Sequence, residues 1–472
     1  MVEKLKTKIF FFREMTRNKK FEEYYIIFNV LFCFLGWYYN QFLGFSLLIL
    51  SIIFSLILTN DLRLSVSSLL LFLFTINKGF DADKIPIPFI VIIALTFIIL
   101  IIYLFYNKPD FKKIKSIKGL IGLCIFTLIP ILWYVPKNTN QVMFYFVYFT
   151  YFLYLTIYFI VVLGCKNESL GIFIKTFSYV CVLISFQVII TTSKICFENE
   201  NIFSIIYYLG WGMSNEAGIM ICFSIPFLFI LIRNSTSTKD KIYRLSLLCC
   251  TLPGIILTAS RGAYLLFLAT ISSCTIFSQI KSKNKKRIMY IIIAIKTIAL
   301  LVFLLNARKA IYYINKIISS VFEEGFNLNG RDELWKEAWT LFTHSFRNII
   351  FGSGAVSIIR DAITPNGWAP AQVVFHSTLF QTLIMGGILG FVCLIIHLIE
   401  KYKAIAKLNK IEYGFILISF VLTDLYGLMD NTYHMFYYMI PLVILLACID
   451  SDMYVIESNK NSDIGENEEI II

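Results

Sequence analysis

A chain of 472 residues that is 58% hydrophobic and only 15% charged, with a mean hydropathy of +0.75, is too apolar for a soluble globular domain. The net charge of +12 does not indicate nucleic-acid binding, because Lys and Arg lie in short clusters between apolar runs, where they encode membrane topology. The 11 cysteines show no CxxC or Cys/His ligand spacing, so the sequence indicates neither a disulfide framework nor a metal site.

Apolar runs of roughly 15 to 24 residues recur along most of the chain, and each is long enough for a helix to cross about 30 Å of hydrocarbon. Because the backbone must satisfy its own hydrogen bonds in lipid, these runs are predicted to be helices. We therefore expect an all-α polytopic membrane protein with about 12 to 14 transmembrane helices. The predicted spans are 24–39, 42–59, 64–76, 87–106, 118–134, 143–163, 170–192, 217–232, 245–258, 263–280, 288–305, 375–397, 412–427 and 435–449.

The N-terminal segment is too long and too charged before its first apolar run to be a typical signal peptide. We expect residues 1–23 to lie in the cytoplasm. There the first 20 residues form either a basic amphipathic helix on anionic lipid or a topology anchor.

Basic connections set the expected orientation of the bundle. With the N-terminus inside, the Lys- and Arg-rich loops all fall on the cytoplasmic side, and the loops nearly free of Lys and Arg fall outside. The inner loops are 107–118, 233–244, 281–287 and 400–410, and the outer loops include 39–41, 135–142 and 427–434. The predicted organisation is a cytoplasmic segment at 1–23, transmembrane helices at 24–305, a large extracytoplasmic loop at 306–374, transmembrane helices at 375–449 and a cytoplasmic acidic tail at 450–472.

The 306–374 loop is far longer than the other connections, and a loop of that length in a compact bundle is usually functional. It contains GRDELWKEAWTLFTHSF (330–346), in which apolar residues recur at helical spacing opposite a charged face. This pattern predicts an amphipathic helix at the membrane surface with an aromatic anchor. FGSGA (351–355) is interpreted as a turn, and GGILG (386–390) as a close helix-packing motif.

Five polar residues are predicted to reach the same outer face: Asn215, Glu216, Arg261, Arg331 and His376. Asn215, Arg261 and His376 lie near predicted helix N-termini, where free N–H groups and the helix dipole favour anions. Two guanidinium groups near such termini are suited to a diphosphate, because their forked N–H groups match phosphate oxygens. The dipole also favours a neutral imidazole, the form that a general base requires.

Each of these residues also has a structural interpretation. Arg261 can extend to lipid headgroups, and Arg331 can pair with Asp332 or Glu333. Glu216 can serve as the counter-charge of Arg261 rather than as a functional group. An isolated histidine such as His376 is more often an interfacial or core residue than a base. The same structural interpretation is kept for His344, His397 and His434.

Five segments occur in a fixed order around the large loop: SNEAGIMICFSIP, TASRGAYL, GRDELWKEAWTLF, FGSG and FHSTLFQTLIMGGILG. In spacing and order they resemble the O-antigen ligase and Wzy-type polysaccharide polymerase superfamily, over about residues 210–395. The preceding residues match only as a string of membrane spans. The family often has Asn directly after the histidine, whereas Ser377 stands here, which puts in doubt any role carried over to that neighbour.

The resemblance implies a metal-independent, inverting glycosyltransferase of the GT-C type, without a cofactor, that acts on undecaprenyl-diphosphate-linked oligosaccharides outside the cytoplasmic membrane. It implies that Arg261 and Arg331 bind the donor diphosphate and stabilise it as leaving group. His376 would deprotonate the acceptor sugar hydroxyl. The implied substrate-binding residues are Asn215, Glu216, Arg261, Arg331 and Trp335.

Within the superfamily we favour a polymerase of capsular or O-antigen repeat units, whose partners are the lipid-linked donor, the glycan acceptor, the bilayer and a chain-length regulator protein. A ligase uses the same donor with another acceptor. A flippase also needs cations, but along a path open to both sides. Intramembrane Lys296 is the residue that would favour such a path, unless it extends to the interface or pairs within the bundle. A non-enzymatic scaffold would leave Arg261 and His376 unexplained.

Overall fold

The computed structural model describes residues 19–59, 61–76, 86–133, 141–166, 168–198, 208–209, 212–258, 260–280, 331–354, 359–364, 367–372 and 375–468. Three sequence-based expectations therefore lie outside the described residues: the basic segment before residue 19, the predicted span at 288–305 with Lys296, and the first part of the long loop.

The described elements follow one another as helices joined by short connections. The helices are α1 (Lys19–Tyr38), α2 (Gln41–Thr59), α3 (Ser65–Phe72), α4 (Ile87–Tyr106), α5 (Lys118–Leu128), α6 (Gln141–Gly164), α7 (Ser169–Glu198), α8 (Ser214–Asn234), α9 (Thr238–Leu257), α10 (Arg261–Ile280), α11 (Arg331–Thr343), α12 (Phe346–Phe351), α13 (Thr378–Ala406), α14 (Lys410–Tyr426) and α15 (Phe436–Glu468). Two small antiparallel hairpins are formed by β1 (Tyr208–Leu209) with β2 (Gly212–Met213), and by β3 (Ile359–Thr364) with β4 (Gly367–Gln372).

Long apolar helices dominate this arrangement. In the described part of the chain, five helical stretches have the length and composition to cross a membrane: Ser169–Lys194, Ser214–Asn234, Gly262–Gln279, Thr378–Ala406 and Phe436–Glu457. Shorter apolar helices lie at other predicted spans. These findings confirm the prediction of an all-α polytopic membrane protein.

The core of the bundle lies around α7, α8 and α15. Phe177 of α7 packs its ring edge against Phe223 and Phe227 of α8, with ring centroids 5.1 and 4.9 Å apart. The run 442–449 of α15 is completely buried. Edge-to-face aromatic pairs of this kind add to the stability that buried area alone provides, so they strengthen the packing of α7 on α8.

Carboxylates allow α15 to continue well past the predicted end of its apolar span at 449. Asp450 accepts hydrogen bonds from Ser116 N (2.8 Å) and from the Tyr158 hydroxyl (2.5 Å). Asp452 accepts from the backbone N–H groups of Ser169 and Leu170, at the N-terminus of α7. Because these charges have partners on other helices, they do not end the helix in which they lie.

The predicted twelfth span at 375–397 corresponds to the helix Thr378–Ala406, but this helix is not straight. A Cβ atom built on Gly390 would lie 3.8 Å from the carbonyl oxygen of Thr382. Eight residues of straight helix would separate these positions by roughly 12 Å. The chain reverses at Gly387, which has φ +63° and ψ −160°. We call residues 378–386 the short leg and residues 388–406 the long leg of α13.

The FGSG segment stabilises this reversal: Phe351 ends α12, and residues 352–354 form the predicted turn. Ser353 N donates to the carbonyl of Ile384 (2.7 Å), and Gly354 N donates to that of Met385 (3.1 Å). These carbonyls end the short leg and have no partner within the helix. Gly352 itself has φ +75°, and a Cβ at Gly387 would lie 2.5 Å from Gly352 N, so the contact needs glycine at both positions.

The long leg packs closely against α5. A Cβ atom on Gly119 would lie 2.3 Å from the backbone nitrogen of His397, so only glycine allows this approach. Glu400 of the long leg accepts hydrogen bonds from the first N–H groups of α5, at 3.2 Å from Lys118 N and 2.9 Å from Gly119 N. This carboxylate therefore caps the neighbouring helix. His397 is completely buried at this contact, in agreement with its structural interpretation.

The amphipathic helix predicted within 330–346 is present as α11. Ala338 and Phe342 are buried on its inner side, while the Trp339 side chain is exposed. Trp335 stacks on Phe380 of the short leg, with ring centroids 5.7 Å apart. Trp335 of α11 therefore packs against the bundle, whereas Trp339 faces the surroundings of the molecule.

Candidate active site

The loop at 427–435, between α14 and α15, organises the site. Asp430, Asn431 and Thr432 are buried although they are polar. The start of the short leg is bound to this loop, because Thr378 N donates to the carbonyl of Gly427 (2.8 Å) and Thr432 N donates to Thr378 Oγ1 (3.3 Å). These hydrogen bonds therefore hold the residues just before Thr378 beside the 427–435 loop.

His376 lies at that point and bonds to Asp430. Its Nδ1 is 3.0 Å from Asp430 Oδ1, and its backbone has φ +47°, a left-handed conformation that side chains other than glycine seldom adopt. Asp430 Oδ1 also accepts from Asn431 N (2.8 Å). A carboxylate on Nδ1 stabilises the tautomer that carries its proton there, so Nε2 keeps its lone pair. The imidazole is 37% exposed, whereas the Asp430 side chain is only 9% exposed.

The first turn of α11 contacts the chain on both sides of this pair. Arg331 Nη1 donates to the carbonyl of Met429 (2.5 Å), next to Asp430. Trp335 Nε1 donates to the carbonyl of Phe375 (2.8 Å), next to His376. Arg331 also stands at a helix start, where N–H groups without helical partners favour anions. Arg331 and Trp335 are thus hydrogen-bonded to the residues that directly precede Asp430 and His376.

Arg261 begins α10, and its backbone is near the same cluster, while its side chain lies outside the described residues. The adjacent Gly262 packs on Tyr426, since a Cβ there would lie 2.4 Å from the Tyr426 hydroxyl oxygen. The carbonyl of Tyr426 accepts a hydrogen bond from Asp430 N (3.0 Å). The start of α10 is therefore linked through Tyr426 and Asp430 to His376.

Asn215 and Glu216 lie in the first turn of α8, at the same end of the bundle. Asn215 Oδ1 accepts a hydrogen bond from the Ser260 hydroxyl (2.5 Å), and Ser260 directly precedes Arg261. The carboxylates of Glu216 and Asp430 both interact electrostatically with the hydroxyl of Tyr437. Asn215 therefore holds the start of α10, and Glu216 adds a second carboxylate to the surroundings of the site.

His434 has a different role from His376. Its Nε2 lies 2.7 Å from Thr382 Oγ1, and its Nδ1 lies 2.9 Å from the Tyr151 hydroxyl. Since Thr382 Oγ1 donates its own proton to the carbonyl of Thr378, it accepts from Nε2–H. Burial lowers the pKa of His434 to about 4. Both ring nitrogens have partners, so His434 links the 427–435 loop to the short leg as a neutral residue.

Sequence reasoning missed Asp430. The 427–434 segment was identified only as a connection poor in Lys and Arg, and its single acidic residue in the stretch GLMDNTYH was the available signal. His344, the remaining histidine, is exposed at the end of α11. Within the described ranges, no group of three His, Cys, Asp or Glu side chains is placed to hold a metal ion.

Comparison with known families bears on the central part of this arrangement. Residues 245–395 match the family model described as O-antigen ligase. The matched segment contains Arg261, Arg331, Trp335 and His376, and it ends before Asp430. No curated protein sequence matches the chain. The match covers residues 245–395 only, and over that segment it supports the similarity to the O-antigen ligase and Wzy superfamily.

Proposed function

We propose that this protein is a polymerase that joins undecaprenyl-diphosphate-linked oligosaccharide repeat units on the outer face of the cytoplasmic membrane, in O-antigen or capsule synthesis. The O-antigen ligase domain supports the broader class of lipid-linked glycan transferases. The observation that carries the proposal is the His376–Asp430 pair, in which Nδ1 is bound and Nε2 is left for a substrate, with Arg331 hydrogen-bonded to the carbonyl of Met429 next to Asp430.

In this scheme His376 Nε2 removes the proton from a hydroxyl of the acceptor sugar. The resulting oxygen attacks the anomeric carbon of the donor, the bond to the diphosphate breaks, and the configuration at that carbon inverts. Asp430 keeps the ring in the correct tautomer and stabilises the imidazolium that forms. Positioned general bases of this kind accelerate reactions by about 10² to 10⁴-fold.

Negative charge develops on the departing diphosphate, and Arg331 is placed to stabilise it. Arg261 has the same role in the proposal, supported by the position of its backbone at the start of α10. Fixed donors at a site poor in water stabilise such charge without reorganisation, and loss of one typically costs about 3 kcal/mol, or roughly 100-fold in rate. Asn215, Glu216 and Trp335 complete the substrate-binding set that we propose.

The distribution of basic residues supports an extracytoplasmic site. α8 begins at the site and ends at Asn234, where the basic 233–244 connection starts. α14 ends at the site and begins at Lys410, after the basic 400–410 connection. Basic loops remain preferentially in the cytoplasm, so the opposite ends of these helices face outward. The large loop at 306–374 is assigned to the same outer side.

Arginine neutralisation makes the proposed reaction independent of divalent metal. We expect purified protein to transfer sugar equally well with and without EDTA. A strict requirement for a divalent ion would contradict the scheme.

The decisive experiment incubates purified protein in liposomes with a defined undecaprenyl-diphosphate-linked oligosaccharide and sizes the products. A polymerase yields a ladder from this donor alone. A ligase transfers the unit only when a second acceptor is added, and a flippase moves the donor between leaflets without forming a bond. A ladder that disappears in His376→Ala supports the proposal, and a ladder that persists in that variant contradicts it.

A further inference from the structure

A buried glutamine lies one turn into the short leg and contacts both neighbours of His376. Gln381 is completely buried, although the short leg around it is apolar. Its side-chain Oε1 accepts a hydrogen bond from Phe375 N (3.1 Å). Its backbone N–H donates to the carbonyl of Ser377 (2.9 Å). One residue is therefore bound to the chain on each side of the imidazole-bearing position.

The side-chain hydrogen bond differs from the usual one at a helix start. In a capping box, the third helical residue returns a side-chain oxygen to the N–H of the N-cap residue. Ser377 is the N-cap of α13, and Gln381 is the fourth residue of the helix. Its oxygen reaches the N–H of Phe375, two residues before the cap. The loop that this bond closes therefore includes His376, which an ordinary capping box would leave outside.

The carbonyl of Phe375 is bound as well, from a different element. Trp335 of α11 donates its Nε1 proton to this carbonyl (2.8 Å), and its ring stacks on Phe380 of the short leg. The Phe375 side chain is completely buried. Both backbone polar groups of the residue before His376 thus have side-chain partners, so Phe375 cannot move without losing one of them.

His376 needs such support because its backbone is left-handed, with φ +47°. Residues with a Cβ atom disfavour this region, because Cβ comes too close to the following carbonyl oxygen. A return to the usual φ of about −63° would turn Cβ by roughly 110° relative to Phe375. The imidazole would then leave Asp430, whose Oδ1 lies 3.0 Å from its Nδ1. The orientation of the proposed base therefore depends on the bonds that hold its neighbours.

Burial makes the bond between Gln381 and Phe375 difficult to replace. An amide is costly in an apolar environment unless it is hydrogen-bonded, and Nε2 of Gln381 donates to the sulfur of Met385 (3.5 Å), a weak acceptor. Loss of Oε1 would leave the buried N–H of Phe375 without this acceptor, which is also costly. We therefore expect the segment at 375–377 to shift when Gln381 is replaced by an apolar residue.

We propose that Gln381 is a positioning residue for the general base, an inference that rests on the proposed function. It acts through the backbone, without contact with the reacting atoms. By holding Phe375 it keeps His376 in the left-handed conformation that directs Nδ1 to Asp430 and leaves Nε2 for the acceptor hydroxyl. Loss of its oxygen should therefore lower turnover without weakening the binding of the donor.

The first test removes the amide and keeps the length of the side chain. In Gln381→Met we expect kcat to fall about 10- to 100-fold, because a displacement of about 1 Å at a reacting group has an effect of this size. KM for the lipid-linked donor should stay within about twofold, since Arg331 is unchanged. Gln187→Met is the matched control, because Gln187 is also completely buried and donates to a backbone carbonyl, that of Phe74 (3.0 Å). It should keep kcat within about twofold.

A double-mutant cycle separates positioning from a general loss of stability. Glycine adopts a positive φ without strain, so His376→Gly no longer needs the support, and added imidazole replaces the missing base. In this background Gln381→Met should change the imidazole-dependent rate by less than about twofold. Equal losses of rate in the two backgrounds would overturn the inference. An unchanged kcat in Gln381→Met alone, or a loss confined to KM, would also overturn it.

Hydrogen exchange tests the contact without any glycosyl transfer. The Phe375 amide should exchange slowly in the unaltered protein and at least about tenfold faster in Gln381→Met, or in Gln381→Leu if the first variant does not fold. Gln187→Met should leave this exchange unchanged. Rapid exchange in the unaltered protein, or equal exchange in the Gln381 variants, would overturn the inference. If the contact is present but His376→Ala transfers sugar at the unaltered rate, the proposed function fails while Gln381 still sets the conformation of His376.

Discussion

Two carboxylates six residues apart, Asp424 and Asp430, make contrasting pairs at one end of the molecule. Asp424 pairs with Lys401, a fully buried ammonium, and two tyrosine hydroxyls complete its hydrogen bonds. Asp430 pairs with His376, a half-exposed imidazole whose second nitrogen lies toward the substrate side in our proposal. A saturated pair can only hold helices together, whereas an unsaturated pair can take up a proton.

Burial separates the basic partners of the two pairs, since the Lys401 side chain is completely buried and that of His376 is 37% exposed. Lys401 lies 5.2 Å from the ring centroid of Tyr433 and 5.3 Å from that of Phe420, so the ammonium is surrounded by aromatic faces as well as its carboxylate. Such an environment excludes water and joins α13, α14 and α15. We therefore expect changes at the two pairs to have separate effects, one on catalysis and the other on stability.

The largest effect is expected at His376. Replacement by Ala removes the proposed base and should lower the rate of glycosyl transfer by about 10² to 10⁴-fold. Because the imidazole is 37% exposed and Asp430 keeps its hydrogen bond from Asn431 N, the thermal unfolding midpoint should fall less than in Lys401→Met. The measurement is initial rate together with the unfolding curve of the same preparation. A variant that loses stability and rate together would place His376 with the structural pair.

Breaking the buried pair should affect stability next most strongly. Lys401→Met leaves Asp424 without its counter-charge and is expected to cost about 3 to 5 kcal/mol of unfolding free energy. The double change Lys401→Met with Asp424→Leu should recover most of that loss, since no buried charge remains. Lys403→Met, an exposed position on the same leg, is the control and should be neutral. Unchanged stability in Lys401→Met would refute the structural role.

Arg331 is expected to have a somewhat smaller effect on rate. Arg331→Ala removes one stabilising donor from the leaving diphosphate and should lower kcat/KM by about 100-fold. Lys336→Ala removes an exposed cation from the same helix and should leave kcat/KM within about twofold. Equal losses in both variants would show that general positive charge on α11, not the position of Arg331, supports the reaction.

Hydropathy predicted most of the bundle because membrane thickness fixes helix length independently of tertiary contacts. It did not predict the reversal at Gly387. The GGILG stretch is as apolar as a continuous span, and the reversal depends on contact with Gly352, which the chain reaches 35 residues earlier. The predicted end at 397 was also too early, because Glu400 and Lys401 look like the end of a span. In the fold, Glu400 caps α5 and Lys401 pairs with Asp424.

The candidate site likewise contains some residues that the sequence predicted and others that it did not. Arg331 and His376 were found because charges beside apolar runs stand out in sequence and the resemblance supplied their order. Asp430 was not found, because its partner His376 lies 54 residues earlier and neither periodicity nor composition records such a pair. The contact of Gly262 with Tyr426 was not predicted from the sequence either, because it depends on how α10 crosses α14.

The smallest effect in this comparison concerns His434 and pH. Its folded-state pKa of about 4 lies below the ordinary value of 6.5, so the unfolded chain binds the proton first as pH falls. Stability should therefore be constant above about pH 6.5 and decline by up to about 1 kcal/mol per unit between 6.5 and 4. His434→Gln can keep both hydrogen bonds without titrating, so it should decline less over this range. Unfolding midpoints at about pH 7.5 and 4.5 test this, and parallel declines in both proteins would contradict it.

The central claim is that His376 acts as the base for sugar transfer, and chemical rescue tests it most directly. We expect His376→Ala in liposomes to form almost no extended glycan and to regain transfer, in proportion to concentration, when imidazole is added. Lys401→Met should show no response to imidazole. Wild-type rates of transfer in His376→Ala without any added imidazole would contradict the account.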